Sequence, residues 1–329
     1  MSNIFENGYA LSIGIGADLP VTIKDATAIY ELLTDRTRCA YDKNNVKLLT
    51  EYEATRDAIL DALDWIASKS TANSTVVLYF SGHGIQNPNY YLLPFGYNIS
   101  KLSETAISES EFSNKIKSIN SKKLVVILDC CHAGGQAQVK GWNNSPLPEE
   151  LLIEFKKSRG RVVLASSRKD EVSYTGTPYS VFTTALLEGF SGYGAFELDG
   201  YARILDITLW LSRKVPDRTE DKQHPIIKVN NLEDNFAICW YAAGKKTQSP
   251  LTWVSSNPIY TTKEDIERTQ SYQYRLKNYS ENLRLIEERL SDYIDYTDVP
   301  LQLLKAKKQT ERNIKQLEIE LAAYRIGEE

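Results

Sequence analysis

Two runs in this chain, TVVLYF at residues 75–80 and LVVIL at residues 124–128, are apolar at nearly every position. A strand with one wet face alternates apolar and polar residues, so an unbroken run of this length suits a strand covered on both faces. That requirement points to a mostly parallel sheet sandwiched between helices, with these two strands side by side at its middle. Shorter apolar runs at residues 9–15, 46–49, 162–164 and 226–229 read as further strands. Apolar residues at helical spacing fall between them, at residues 25–34, 54–67, 110–119, 148–157, 180–188 and 202–214. Strands alternating with helices predict an α/β fold: an open, mostly parallel six-stranded sheet with helices on both faces. Residues 136–147 (QAQVKGWNNSPL) are polar, hold Gly and Pro, and read as a loop.

The pattern changes after Trp253. A turn-rich SSNP gives way to a long charged stretch in which Leu276, Tyr279, Leu283, Ile286, Leu290 and Tyr293 follow a coiled-coil-like spacing. Pro300 interrupts it, and Ile314, Leu317, Leu321 and Tyr324 resume it. The predicted organisation is a domain over residues 1–245, a linker over 246–263 and a C-terminal α-helical hairpin over 264–329. The hairpin either packs on the core, binds a regulatory protein or self-associates.

Composition narrows the function classes. With 43 acidic against 39 basic residues the net charge is −4, and no Lys/Arg block or stripe occurs, so a nucleic-acid partner is not expected. No window holds 18 uninterrupted apolar residues, so no membrane association is expected either. The first residues lack the basic flank and apolar stretch of a secretory signal, and four cysteines, two of them adjacent, make a poor disulfide framework. Both observations predict a cytoplasmic protein.

In an open parallel sheet the chemistry gathers beyond the carboxyl ends of the strands. The first central run leads into Ser81, Gly82, His83 and Gly84, and the second into Asp129, Cys130, Cys131 and His132. On neighbouring parallel strands, His83 and one of the paired cysteines arrive at one edge, as a Cys–His dyad requires. A thiol needs a base to become a thiolate, and an imidazole supplies one near neutral pH. The glycines around His83 suggest a tight turn, and the Gly84 N–H with that of the cysteine could form an oxyanion hole. Acyl transfer at a peptide carbonyl uses all these parts.

SGHG at the end of one strand and DCCHAGG at the end of the next, 48 residues on from His83 to Cys131, resemble the caspase-like cysteine peptidases, specifically the bacterial metacaspase relatives called orthocaspases. The resemblance spans about residues 9–240. It includes Tyr91 to Pro94, Ala165 to Ser167, and Val181 to Thr183 in the family's order. It implies Cys131 as nucleophile, His83 as general base, and His132 as a neighbour orienting the loop, with Cys130 a buried strand-end residue. It further implies an endopeptidase cutting after Arg or Lys, with Asp25, Asp129 and Ser81 lining the pocket for that residue. Two carboxylates in one pocket repel until a cation enters, and Arg's planar fork can satisfy both. The family habit of self-cleavage would find basic sites at Lys140, Lys156, Lys157 and Arg159.

Departures from the family pattern matter as well. Thr22 stands where a cysteine is usual. Calcium-binding relatives carry aspartates where this chain has Phe95 or Gly96 and Ser108, Glu109 and Ser110, which leaves Asp170 and Glu171 as possible ligands. Calcium wants six to eight oxygens. Activity is therefore expected to be calcium-independent, with no cofactor. A zinc site of Cys130, Cys131, His132 and His83 lacks the usual C-x-x-C spacing, and the G-x-G at Gly14 to Gly16 lacks the third glycine of a dinucleotide site. Two rival functions stay open: a weak or inactive caspase-like scaffold acting through its hairpin, and a thiol oxidoreductase using Cys130 and Cys131.

Overall fold

A computed structural model describes residues 4–17, 19–87, 89–131, 160–168, 171, 173–230, 232–248, 251, 259–260, 275, 278–290, 293 and 299–326. They belong to two units, one within Met1–Ala133 and Val139–Tyr260, the other within Thr261–Glu329. The expected helix at 148–157, the loop at 136–147, His132 and the four basic candidates for self-cleavage lie outside the described residues.

The larger unit runs β1 (Gly8–Gly14), α1 (Val21–Thr34), β2 (Val46–Thr50), α2 (Arg56–Lys69), β3 (Thr75–Asn87), β4 (Asn89–Leu93), α3 (Leu102–Thr105), β5 (Ile107–Ser108), α4 (Glu109–Ser118) and β6 (Lys123–Cys131). It continues through β7 (Arg161–Ala165), β8 (Gly176–Thr177), α5 (Val181–Phe190), β9 (Tyr201–Arg203), α6 (Ile204–Arg218), β10 (Ile226–Asn230), β11 (Ala237–Trp240) and β12 (Ile259–Tyr260). The main sheet has the order β10-β7-β6-β3-β1-β2. Along this path the pairings are parallel except that of β10 with β7, and β4, antiparallel to β3, and β5, antiparallel to β4, bring the sheet to eight strands rather than the six expected. These six are the strands that the apolar runs predict, and the two continuous runs pair directly at the centre.

Both faces are covered, as an unbroken apolar strand demands. Successive strand side chains point to opposite faces. Val77, Tyr79, Val125 and Ile127 pack into one cluster with Ala26, Ile29 and Leu33 of α1 and Phe182 and Leu186 of α5. Val76, Leu78, Phe80, Val126 and Leu128 pack into another with Ile59, Leu63 and Ile66 of α2 and Phe112 and Ile116 of α4. Local signals place the helices: Thr55 accepts from the Ala58 N–H at the start of α2, and Ser108 and Glu111 form a reciprocal capping box on α4.

The strands outrun the sequence reading. Ser81, Gly82 and Gly84 suggest a turn after Phe80, yet β3 continues to Asn87 because its second half pairs antiparallel with β4, His83 opposite Leu93 and Ile85 opposite Tyr91. β6 likewise runs on to Cys131 beside it. The glycines flanking His83 therefore serve close packing rather than a turn. A Cβ on Gly84 would lie 2.2 Å from the Tyr90 hydroxyl, and one on Gly82 2.6 Å from Ile15. Among the described residues, no helix is long and apolar enough to cross a membrane.

The smaller unit contains a helix over residues 278–290, here α7, and α8 (Leu301–Ile326). In α7 the half-buried positions are Tyr279, Leu283, Ile286 and Leu290, four residues of the expected stripe, and the others are exposed; Tyr293, also of the stripe, is exposed. Lys307 of α8 pairs with Glu287 of α7 at 2.9 Å, so the helices lie alongside each other. Leu276 lies outside the described residues, as do the side chains of Leu321 and Tyr324.

The junction into β7 supplies a test of the packing. Gly160 has φ +66, and a Cβ there would sit 1.8 Å from the Lys122 carbonyl oxygen. Strain at positive φ adds to a backbone clash, so Gly160→Ala is expected to lower unfolding free energy by about 3 kcal/mol. A urea midpoint equal to wild type would refute this.

Candidate active site

Period-two alternation extended one step beyond the core defines the site. Tyr79 and Ile127 belong to the α1/α5 face, so Ser81, His83, Asp129 and the Cys131 position follow on that face at the carboxyl end of the sheet. The β3–β6 register sets Ser81 opposite Asp129 and His83 opposite Cys131. Gly82 and Cys130 fall on the other face, where Cys130 joins the α2/α4 cluster. Its sulfur receives the Tyr90 hydroxyl at 3.7 Å, and burial pushes its pKa up to about 12. Cys130 is thus a protonated packing residue, and one cysteine of the adjacent pair remains for chemistry. His83 is 4% exposed.

Beside this row lie two buried carboxylates, Asp129 from β6 and Asp25 from α1, exposed 0% and 1%. The start of α5 touches both. The Ser180 N–H donates to Asp25 Oδ1 at 3.0 Å, and the Ser180 hydroxyl donates to Asp129 Oδ2 at 2.6 Å. The same Ser180 oxygen caps α5 by accepting from the Thr183 N–H. Thr183 Oγ1 donates to Asp129 Oδ2 at 2.9 Å, and Ser173 Oγ to Asp129 Oδ1 at 3.3 Å. Tyr79 closes the group through Thr183 at 2.6 Å. The helix N-terminus adds a positive dipole end that favours both acids.

The two acids are not equivalent. Asp129 has hydroxyl donors on both oxygens, whereas Asp25 Oδ2 has no hydrogen-bond partner among the described residues. The hydroxyls of Ser81, Ser166 and Ser167 are buried and likewise unpartnered. Ser81 sits close enough to Asp25 to favour its charged form without reaching hydrogen-bond geometry. A buried acceptor without a donor costs about 1–3 kcal/mol, so such a cluster is suited to a donor-rich cation. Burial drives the Asp25 pKa well above the usual carboxylate range, and the Asp129 charge adds to it; the Ser180 N–H opposes both. Burial also raises Asp129, with its hydroxyl donors holding it back.

Sequence reasoning names Asp25, Ser81, His83, Asp129 and Cys131, and the fold brings their positions to one end of one face. It does not assign Ser180, Thr183, Ser173 or Tyr79 to the site. A serine before an apolar helical run signals a helix cap, which Ser180 is; its bonds to acids 155 and 51 residues away leave no local trace. Glu171, considered above as a cation ligand, is engaged by His224 and Arg168, and Asp170 lies outside the described residues. Among the described residues no group of three or more His, Cys, Asp or Glu could hold a metal ion.

Comparison with known proteins identifies the family. A family model described as the caspase domain matches residues 5–237. Metacaspase-1 of Plasmodium falciparum (isolate 3D7) is 26% identical over 192 residues, covering 50% of this chain and 30% of that protein, so this chain spans less than a third of that relative's length. A crystal structure of a protein from Geobacter sulfurreducens matches at 15% identity and a TM-score of 0.49, covering 71% of this chain and 97% of the other.

The raised Asp25 pKa has a consequence for stability. The native state holds the proton more tightly than the unfolded chain, so stability is lost as pH rises from the ordinary carboxylate range through the folded value. Asp25→Asn removes that loss. The variant is expected to melt several degrees above wild type at pH 7, with the advantage shrinking below about pH 4. Calorimetry across that range checks it, and a variant no more stable than wild type at pH 7 would contradict it.

Proposed function

The chain belongs to the caspase domain family, and we propose that it is a cysteine endopeptidase that cuts after Arg, and after Lys less readily, using Cys131 as nucleophile and His83 as general base. One observation carries the reading: the β3–β6 register aligns His83 with Cys131 at the end of the sheet where Asp25 is buried with its Oδ2 lacking a donor among the described residues.

His83 takes the thiol proton, and the Cys131 sulfur attacks the scissile carbonyl carbon. The carbonyl electrons move onto oxygen, where the N–H groups of Gly84 and Cys131 stabilise the anion. His83 returns its proton to the leaving amine as the tetrahedral intermediate collapses to a thioester. Water, deprotonated by the same imidazole, then hydrolyses the thioester and frees the enzyme. The strand that carries the base also carries Ser81, and the strand that carries the nucleophile also carries Asp129, so the reacting pair and the specificity pocket share two rigid supports.

The pocket supports a basic residue before the scissile bond. An arginine guanidinium can donate to Asp25 Oδ2 and the nearby serines at once, which a lysine ammonium does with less geometric match. An acidic residue would face two acids without a cation. Cleavage of an Arg-ending fluorogenic peptide is expected to exceed that of the Asp-ending analogue by at least about a thousandfold, since leaving a buried charge pair unmatched costs several kcal/mol. Cys131→Ala and His83→Ala should each abolish the signal. Activity that persists in Cys131→Ala, or a preference for Asp, would overturn the proposal.

We also propose that this activity is independent of calcium. Glu171 is bound by His224 and Arg168, and Ser108 and Glu109 stand at the start of α4 with Ser108 as its cap. Peptide cleavage should change less than twofold, roughly, between excess chelator and millimolar calcium. A large stimulation would refute this part.

A further inference from the structure

The stretch between β7 and α5 supplies Ser173 and Ser180 to the buried acids, and among its described residues the regular structure is the two-residue β8. What holds it is a glutamine from elsewhere. Gln223 lies between α6 and β10 and is 0% exposed. Its Oε1 accepts from the Tyr174 N–H at 2.9 Å. Its Nε2 donates to the Ser166 carbonyl at 2.8 Å and to Ser173 Oγ at 3.3 Å. All of the amide's hydrogen-bonding groups are thereby used on this one segment. The Gln223 N–H donates to Thr219 Oγ1 at 3.0 Å, fixing the glutamine to the end of α6.

The next residue repeats the grip. The His224 N–H donates to Glu171 Oε2 at 2.7 Å, and His224 Nδ1 lies 2.7 Å from Glu171 Oε1. Two successive residues therefore hold the segment at both its start and its middle. Ser173 relays the hold onward, since its hydroxyl donates to Asp129 Oδ1.

We propose that Gln223 is a positioning residue for substrate binding, acting through Ser166, Ser173 and Tyr174 to fix Asp129 and the wall of the specificity pocket. This rests on the peptidase reading above and adds a residue that never reaches the substrate. A core-filling role would need an apolar side chain; a fully satisfied buried amide spanning Ser166, Ser173 and Tyr174 instead fixes the path of the backbone.

Gln223→Met keeps the length and removes all three side-chain bonds. KM for the Arg-ending peptide is expected to rise about tenfold with kcat within about twofold, the signature of lost binding rather than lost chemistry. Ser173→Ala, which cuts the relay but leaves the bonds from Gln223 to the backbone, should raise KM in the same direction. The double variant should cost less than the product of the two. A KM unchanged in both folded single variants overturns the proposal, and if Gln223→Met does not fold, Ser173→Ala alone decides. Amide hydrogen exchange supplies a readout that needs no activity: the Tyr174 N–H should exchange faster in Gln223→Met than in wild type, by about tenfold or more. If wild type cuts no Arg peptide, the peptidase reading fails and the substrate-binding role falls with it, whereas a Tyr174 N–H whose exchange is unchanged in Gln223→Met overturns the hold on the segment whatever the activity.

Discussion

The parallel pairing of β3 with β6 is the constraint on which the rest depends. It is an unusual place to put reactive groups, because both strands are buried on both faces along most of their length. The same in-register ladder that stacks Val77 beside Val125 and Tyr79 beside Ile127 continues without a break to Ser81 beside Asp129 and His83 beside Cys131. Core and site are consecutive rungs. Rigidity at the reacting end is thus inherited from apolar packing at the other end, which suits chemistry that tolerates little misplacement.

Against that ladder stands a second set of bonds that cross it. Ser180 caps the start of α5 and contacts both acids, while Gln223 and His224 hold residues that precede it. The polar network is crowded with hydroxyls because, among the described residues, the bonds that reach the two carboxylates come from serine and threonine and no lysine or arginine pairs with either. The donors lower the cost of the charges only partly, so the pKa values of both acids remain raised. Stability given up in the free protein is the usual companion of a site prepared for an opposite charge.

Much of the fold was legible because its signals are local and periodic. The continuous apolar runs gave the two central strands and their adjacency, and helical spacing gave the helices that cover them. The ends of β3 and β6 were not legible. Glycine and serine read as turn formers, and only a distant partner, β4, makes SGHGIQN a strand. The site divides along the same line. His83, Cys131, Asp129 and Ser81 follow directly on apolar runs and could be placed from the chain alone. Ser180, Thr183, Ser173 and Gln223 owe their roles to bonds between elements that no spacing in the sequence joins. In the smaller unit the 3-4 stripe matched the half-buried positions of α7, and the Glu287–Lys307 pair joins α7 to α8.

The unbroken course of β3 also bears on how a chain of this kind can change over time. Since facing alternates at each residue, losing or gaining one position between Tyr79 and His83 would carry the imidazole to the α2/α4 side, into the company of Tyr90 and Cys130. No choice of amino acid could restore it. Substitutions at these places can be compensated by neighbours; insertions and deletions cannot. Descendants of this chain are free to vary in spelling here, but not in count.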